Sequence, residues 1–274
     1  MISRRIPTPA QLRLLLLVPL ALAAPLAARA QAAAGAVVAV APGPDGAAAV
    51  DTARAAPSAP TDALGARILA EAERARGLRL IVSLRDRTLW LKQGSTVLHA
   101  APVAVGKAVI MEYEGKEWNF STPRGRRTIT TKQRNPVWIP PDWHYVELAL
   151  KLGLQLEFLG SGQRMALGDG SWVAVRGNRI GRVLADGTWQ PVPVGEEAVF
   201  NDTLFAPPPE TLNRRMPGEL GKYKLDMGGG YYLHGTPYQD SIGSEVTHGC
   251  IRLRTADLEL LYRKVPVGTP VYIY

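Results

Sequence analysis

Cysteine is almost missing: the 274 residues contain one, Cys250. A lone thiol excludes an internal disulfide. It also excludes a multi-cysteine zinc or iron–sulfur centre built within one chain. Histidine is scarce too, at four, and aromatics make up only 7%. Charge is not in excess: 20% charged against 46% hydrophobic residues is a globular balance, neither disordered nor collagen-like. The length suits one sizeable domain or two small ones. Near the N-terminus the apolar run Leu14–Leu26 is interrupted by Pro19 and Pro25. It is shorter than the about 20 residues that a membrane span requires.

That run has the form of an export signal instead. Arg4, Arg5 and Arg13 supply a basic head, and Ala28-Arg29-Ala30 gives the small-x-small cleavage pattern. Residues 1–30 are therefore expected to be removed, with a mature start at Gln31, an exported location in the periplasm or cell envelope, and no stable membrane insertion afterwards. No cysteine follows the cleavage pattern, which excludes lipid attachment there. Losing Arg4, Arg5, Arg13 and Arg29 lowers the net charge from +8 to +4, so part of the basicity belongs to targeting. With no basic cluster, nucleic acid is not an expected partner.

Residues 31–60 are rich in Ala, Gly, Pro and Val and read as a flexible linker. A short helix is expected over 61–77, capped by Thr61 or Asp62, carrying Leu64, Ile68 and Leu69 on one face and stopped by Gly77. From Leu78 the period changes to that of antiparallel strands: 78–84, 88–93 and 96–105, with turns between them. Pro123 and Gly125 mark a turn before another strand, and residues 135–143 are too rich in proline for a helix. A short helix is expected at 146–152 and a strand meander at 172–192. Near the end, Thr255 is expected to cap a helix striped by Leu258, Leu261, Tyr262 and Val265, before the closing strand 271–274. The fold class predicted is mainly β with a few helices, as a β-sandwich or partly open barrel.

The chemistry concentrates in residues 231–254. Cys250 lies two residues after His248 and sixteen after His234. A free thiol in an exported chain is unusual, because that compartment is oxidising. One reading is a nucleophile: a neighbouring imidazole takes the thiol proton, and Gly249 clears space beside the sulfur. The backbone N–H groups of Gly249 and Cys250 could then face an oxyanion. Free cysteine is also often simply buried. A third reading, a metal held by His234, His248 and Cys250 with Asp226 or Asp240, lacks recognisable spacing.

His234-Gly235-Thr236, followed by Thr247-His248-Gly249-Cys250-Ile251-Arg252-Leu253, resembles the L,D-transpeptidase catalytic-domain family of bacterial cell-wall enzymes. TPRG (122–125), NPVW (135–138), GKYKLDMG (221–228) and the closing VPVGTPVYIY (265–274) look like family features too. The resemblance covers roughly 78–143 and 213–274, within a domain spanning 78–274. It implies Cys250 as the acylated nucleophile and His234 as general base, oriented by the carbonyl of Gly235. His248 would be the second motif histidine near the sulfur, and Gly249 an oxyanion donor. Arg252, Thr247, Tyr232 and Trp138 would meet substrate. It further implies peptidoglycan tetrapeptide stems as donor and acceptor, no cofactor or metal, and acylation by carbapenems. A hydrolase on the same scaffold, or a wall-binding module without catalysis, would be the rivals. Residues 144–212 have no counterpart in the minimal pattern and read as an insertion, either a lid or a surface decoration.

Overall fold

The computed structural model describes residues 56–274; the expected signal segment and most of the expected linker lie outside the described residues. Two facing sheets enclose the main core, and the strands expected at 78–84, 88–93 and 271–274 all lie in the first. One orders its strands as Thr96–Pro102, Thr88–Gln93, Leu78–Ser83, Pro270–Ile273 and Gly125–Thr128. The other orders Ile251–Arg252, Tyr232–His234, Tyr223–Asp226 and Thr131–Arg134. Neither closes into a barrel. The mostly β class follows, with three α-helices among the described residues: α1 (Ala63–Arg74), α2 (Asp142–Leu152) and α3 (Thr255–Lys264).

Alternation decides which side chain goes where. Leu80, Val82, Leu89, Leu91, Val271 and Ile273 point from the first sheet into the main core. They meet Leu225, Leu233 and Ile251 of the second sheet, Leu258 and Leu261 of α3, and Val265 just after that helix. The intervening Ile81, Trp90 and Tyr272 face the other way, against Ile68 and Ala72 of α1. The first sheet is therefore buried on both faces, because α1 covers the side that would otherwise meet water.

Several boundaries correct the sequence expectations. Asp62, not Thr61, caps α1: its carboxylate accepts from the Gly65 N–H at 2.9 Å. The helix stops at Arg74, with Ala75 extended, so Gly77 is not its stop. Residues 58–60 are docked, not free linker: Tyr274 donates to the Ser58 carbonyl at 3.0 Å, and Ser58 bonds to Asp86. Arg254 occupies the cap position of α3, and Thr255 opens its first turn. α2 begins at Asp142, four residues earlier than expected; Pro141 fixes the entry and left-handed Gly153 ends it.

The insertion is a distinct unit on a narrow neck. Val137–Trp138 leaves the domain and Met216–Pro217 returns beside it, antiparallel. Between them lie α2, a parallel pair formed by Gln155–Phe158 and Thr203–Ala206, and a four-stranded meander. Leu159, Val173, Ile180, Val192, Ala198 and Phe205 give the unit its own apolar core. Buried Arg214 ties the neck together. Its guanidinium donates to Pro140 O (2.8 Å), Pro207 O (2.9 Å) and Asp142 (2.6 Å), over the ring of Tyr145.

Candidate active site

The second sheet builds the floor of the site by the same alternation. Tyr232–His234 runs parallel to Ile251–Arg252, pairing Leu233 with Ile251 and His234 with Arg252. Leu233 and Ile251 turn into the core, fully buried. Tyr232, His234, Cys250 and Arg252 all turn to the opposite face, where they line one cavity of about 640 Å³. Lys224, paired with His234 on the next strand, joins them there. Sixteen residues of separation thus collapse onto adjacent strands.

His234 is buried, and its Nδ1 lies 2.6 Å from the Gly235 carbonyl oxygen. A carbonyl can only accept, so Nδ1 carries the hydrogen and the neutral ring keeps a bare Nε2. Burial pushes the imidazole pKa down to about 4, against the smaller opposing effect of the Gly235 bond. Cys250 keeps part of its surface open, while its thiol donates to Gly230 O at 3.7 Å. Burial pushes the thiol up to about 11, and the Tyr232 backbone N–H pulls the other way. Burial thus disfavours the charged form of each group taken singly.

Thr247 and Gly249 are joined within the reactive turn. The Thr247 hydroxyl donates to Cys250 O at 2.6 Å and accepts the Gly249 N–H at 3.2 Å. The Gly249 amide is thus engaged inside the turn. Thr247 is itself buried yet lines the same cavity, with its hydroxyl bonded within that turn. Gly249 is required for another reason. Its φ is +110°, and a Cβ there would lie 2.7 Å from the Tyr231 ring and 3.0 Å from Ser121 O.

His248 also lines the cavity, but its partners come from elsewhere in the chain. Nε2 lies 2.8 Å from Glu147 Oε2 and 3.2 Å from Lys107 Nζ. The ring stacks on Trp143 at 3.9 Å, with Phe120 against its edge at 4.5 Å. Burial lowers its pKa, and Glu147 opposes this. Burial alone would raise Glu147, but the hydrogen bonds from Lys107 and His248 win and lower it. Trp138 lines the cavity beside Trp143 and His144, and Tyr232 lies under Lys224 Nζ at 4.3 Å.

Sequence reasoning missed Glu147, Lys107 and Lys224. Lys224 had a usable signal, since Tyr223 and Leu225 bracket it in an alternating strand. Glu147 lies 101 residues from the histidine it meets, and no local pattern announces that contact. Among the described residues, no group of three or more His, Cys, Asp or Glu side chains is arranged to hold a metal ion. No helix there is long and apolar enough to cross a membrane.

A family model for the L,D-transpeptidase catalytic domain (YkuD) matches residues 77–273. The probable L,D-transpeptidase ErfK/SrfK of Escherichia coli K12 is 31% identical over 154 residues, covering 56% of this chain and 44% of that relative. The probable L,D-transpeptidase YbiS of the same strain is 50% identical over 52 residues, 19% of this chain and 17% of its own. The chain spans less than half the length of these curated relatives. Among solved structures, an L,D-transpeptidase from Xylanimonas cellulosilytica aligns over 76% of this chain and 69% of its own, at 14% identity and a TM-score of 0.39.

Proposed function

The chain belongs to the L,D-transpeptidase catalytic-domain family, and from that premise we propose that it is an exported cysteine acyltransferase acting on peptidoglycan stem peptides. One observation carries the reading: His234, Cys250 and Arg252 turn from adjacent strands into one cavity while Leu233 and Ile251 anchor the same strands in the core.

The donor is a tetrapeptide stem. Cys250 Sγ attacks the carbonyl that joins the third residue to terminal D-Ala. As the C–S bond forms, the thiol proton passes to bare Nε2 of His234, whose Nδ1–H stays on Gly235 O at 2.6 Å. The Cys250 N–H faces the developing oxyanion. The C–N bond then breaks, His234 returns the proton to the departing D-Ala amine, and a thioester remains. An amine of a second stem attacks the thioester and gives its proton to His234. The sulfur leaves and recovers the proton from His234, and a 3→3 cross-link results. Arg252 and Lys224, both cations on the cavity floor, suit the donor's terminal carboxylate. The pattern in residues 1–30 supports delivery to the envelope where that polymer lies.

The test is product analysis by mass spectrometry. Residues 31–274 are incubated with disaccharide-tetrapeptide, with and without an added acceptor amine. Cross-linked dimer and amine adduct with free D-Ala are expected; tripeptide alone would replace this reading with a hydrolase. A carbapenem should add one adduct mass, on Cys250, and Cys250→Ala should show none. Absence of that adduct on the wild-type protein would reject the nucleophile assignment.

A further inference from the structure

The inserted unit reaches the reactive turn at the His248 side chain. Trp143 and Glu147 are four residues apart on α2, so they share one face of that helix. Trp143 covers the imidazole plane, with an interplanar angle of 16°. Phe120 closes its edge at 83°. Rotation of the ring is thereby blocked from two sides.

The hydrogen bonds select a tautomer. Two donors converge on one carboxylate: Lys107 Nζ reaches Glu147 Oε1 at 2.6 Å, and His248 Nε2 reaches Oε2 at 2.8 Å. An ionised carboxylate only accepts, so Nε2 carries the hydrogen. Lys107 also lies 3.2 Å from Nε2, but an ammonium only donates and cannot bond to an N–H. Without Glu147 the preference would invert: Lys107 would donate to a bare Nε2 and drive the hydrogen to Nδ1.

We propose that Glu147 and Trp143 are positioning residues for His248, fixing its ring plane and its Nε2–H tautomer, so that the inserted unit is part of the scaffold of the Thr247–Cys250 turn. The consequence for catalysis rests on the reading of Cys250 as nucleophile; the tautomer does not. His248 is faced by Glu147 and His144 from α2, by Lys107, and by Arg252 from the neighbouring strand. Only Glu147 among them favours the imidazolium, so its loss moves the His248 titration to lower pH.

Nitrogen NMR on histidine-labelled protein tests this without reference to turnover. Wild type should show His248 as Nε2–H, Glu147→Ala should convert it to Nδ1–H with a lower titration midpoint, and Lys107→Met should leave it Nε2–H. The His248 ring protons should be shifted upfield by Trp143, and Trp143→Ala should abolish that shift. An Nδ1–H wild type, or a tautomer unmoved in folded Glu147→Ala, overturns the proposal. If Glu147→Ala does not fold, the wild-type tautomer and Lys107→Met still decide it. In the acceptor assay, Glu147→Ala should lower kcat about tenfold or more, with the donor KM within about twofold; unchanged kcat overturns the catalytic consequence. A correct tautomer in a protein that makes no acyl product would instead reject the transpeptidase reading and leave the positioning intact.

Discussion

His234 couples chemistry to stability. Burial holds its folded pKa at about 4, against an ordinary value of 6.5. The unfolded chain therefore binds a proton between those values that the folded chain does not, and stability must fall as pH drops through that window. The full shift corresponds to about 3 kcal/mol. Urea unfolding at pH 7 and pH 4 should show that loss in wild type and a correspondingly smaller one in His234→Gln. A pH dependence identical in both proteins would exclude His234 as its source. Gly249 makes a different demand. At φ +110°, with the Tyr231 ring 2.7 Å from a built Cβ, Gly249→Ala should cost about 2 kcal/mol by backbone strain alone. It should also slow carbapenem acylation of Cys250, because the turn carrying the sulfur must shift. Thermal unfolding and intact-mass kinetics would check both.

At the scale of elements, alternation explains what the sequence made legible. Leu233 and Ile251 are apolar between polar neighbours, so each short strand announced which residues it would bury. The meander at 172–192 was equally readable, because Gly177-Asn178 and Asp186-Gly187 mark its reversals. The helix ends were not. Thr255 resembles a cap, yet Arg254 takes that position without a side-chain bond. Tertiary packing, not local capping, starts α3: Leu258, Leu261 and Val265 are buried. The neck of the insertion depended on a contact no local rule foresees. Arg214 reaches Pro140 from 74 positions later. Arg214→Lys keeps the charge but loses the planar fork, leaving buried carbonyls without donors. It should destabilise the protein by about 3 kcal/mol, read by chemical denaturation, and open the neck to limited proteolysis.

At the scale of the molecule, α1 turns a sheet with one covered face into a sheet covered on both. Ile68 and Ala72 seal Ile81, Trp90 and Tyr272. Asp62 pairs with Arg124 at 2.9 Å, and Lys92 with Glu73 at 2.7 Å, fastening the helix across the sheet. Ile68→Ala should therefore cost about 3 kcal/mol, as a core truncation would, though its helix precedes the residues matched by the family model. A change below about 0.5 kcal/mol in chemical denaturation would show that α1 is a loose appendage. The inserted unit obeys the same logic in reverse: it carries its own core, and so could be added between two paired neck strands without disturbing the sandwich.

The sequence by itself determined the strand faces, the lone thiol and the histidine–cysteine motif, because period-2 patterning and residue chemistry act over a few positions. The resemblance to the family added the expectation that the Gly235 carbonyl orients His234, and the 2.6 Å contact agrees with it. Only the tertiary structure decided that the Gly249 amide is engaged by Thr247, that Lys224 joins the cavity, and that Glu147 and Lys107 grip His248. Those outcomes depend on which distant elements come within about 3 Å of each other, and hydrogen bonding at that range is fixed by packing rather than by any local pattern.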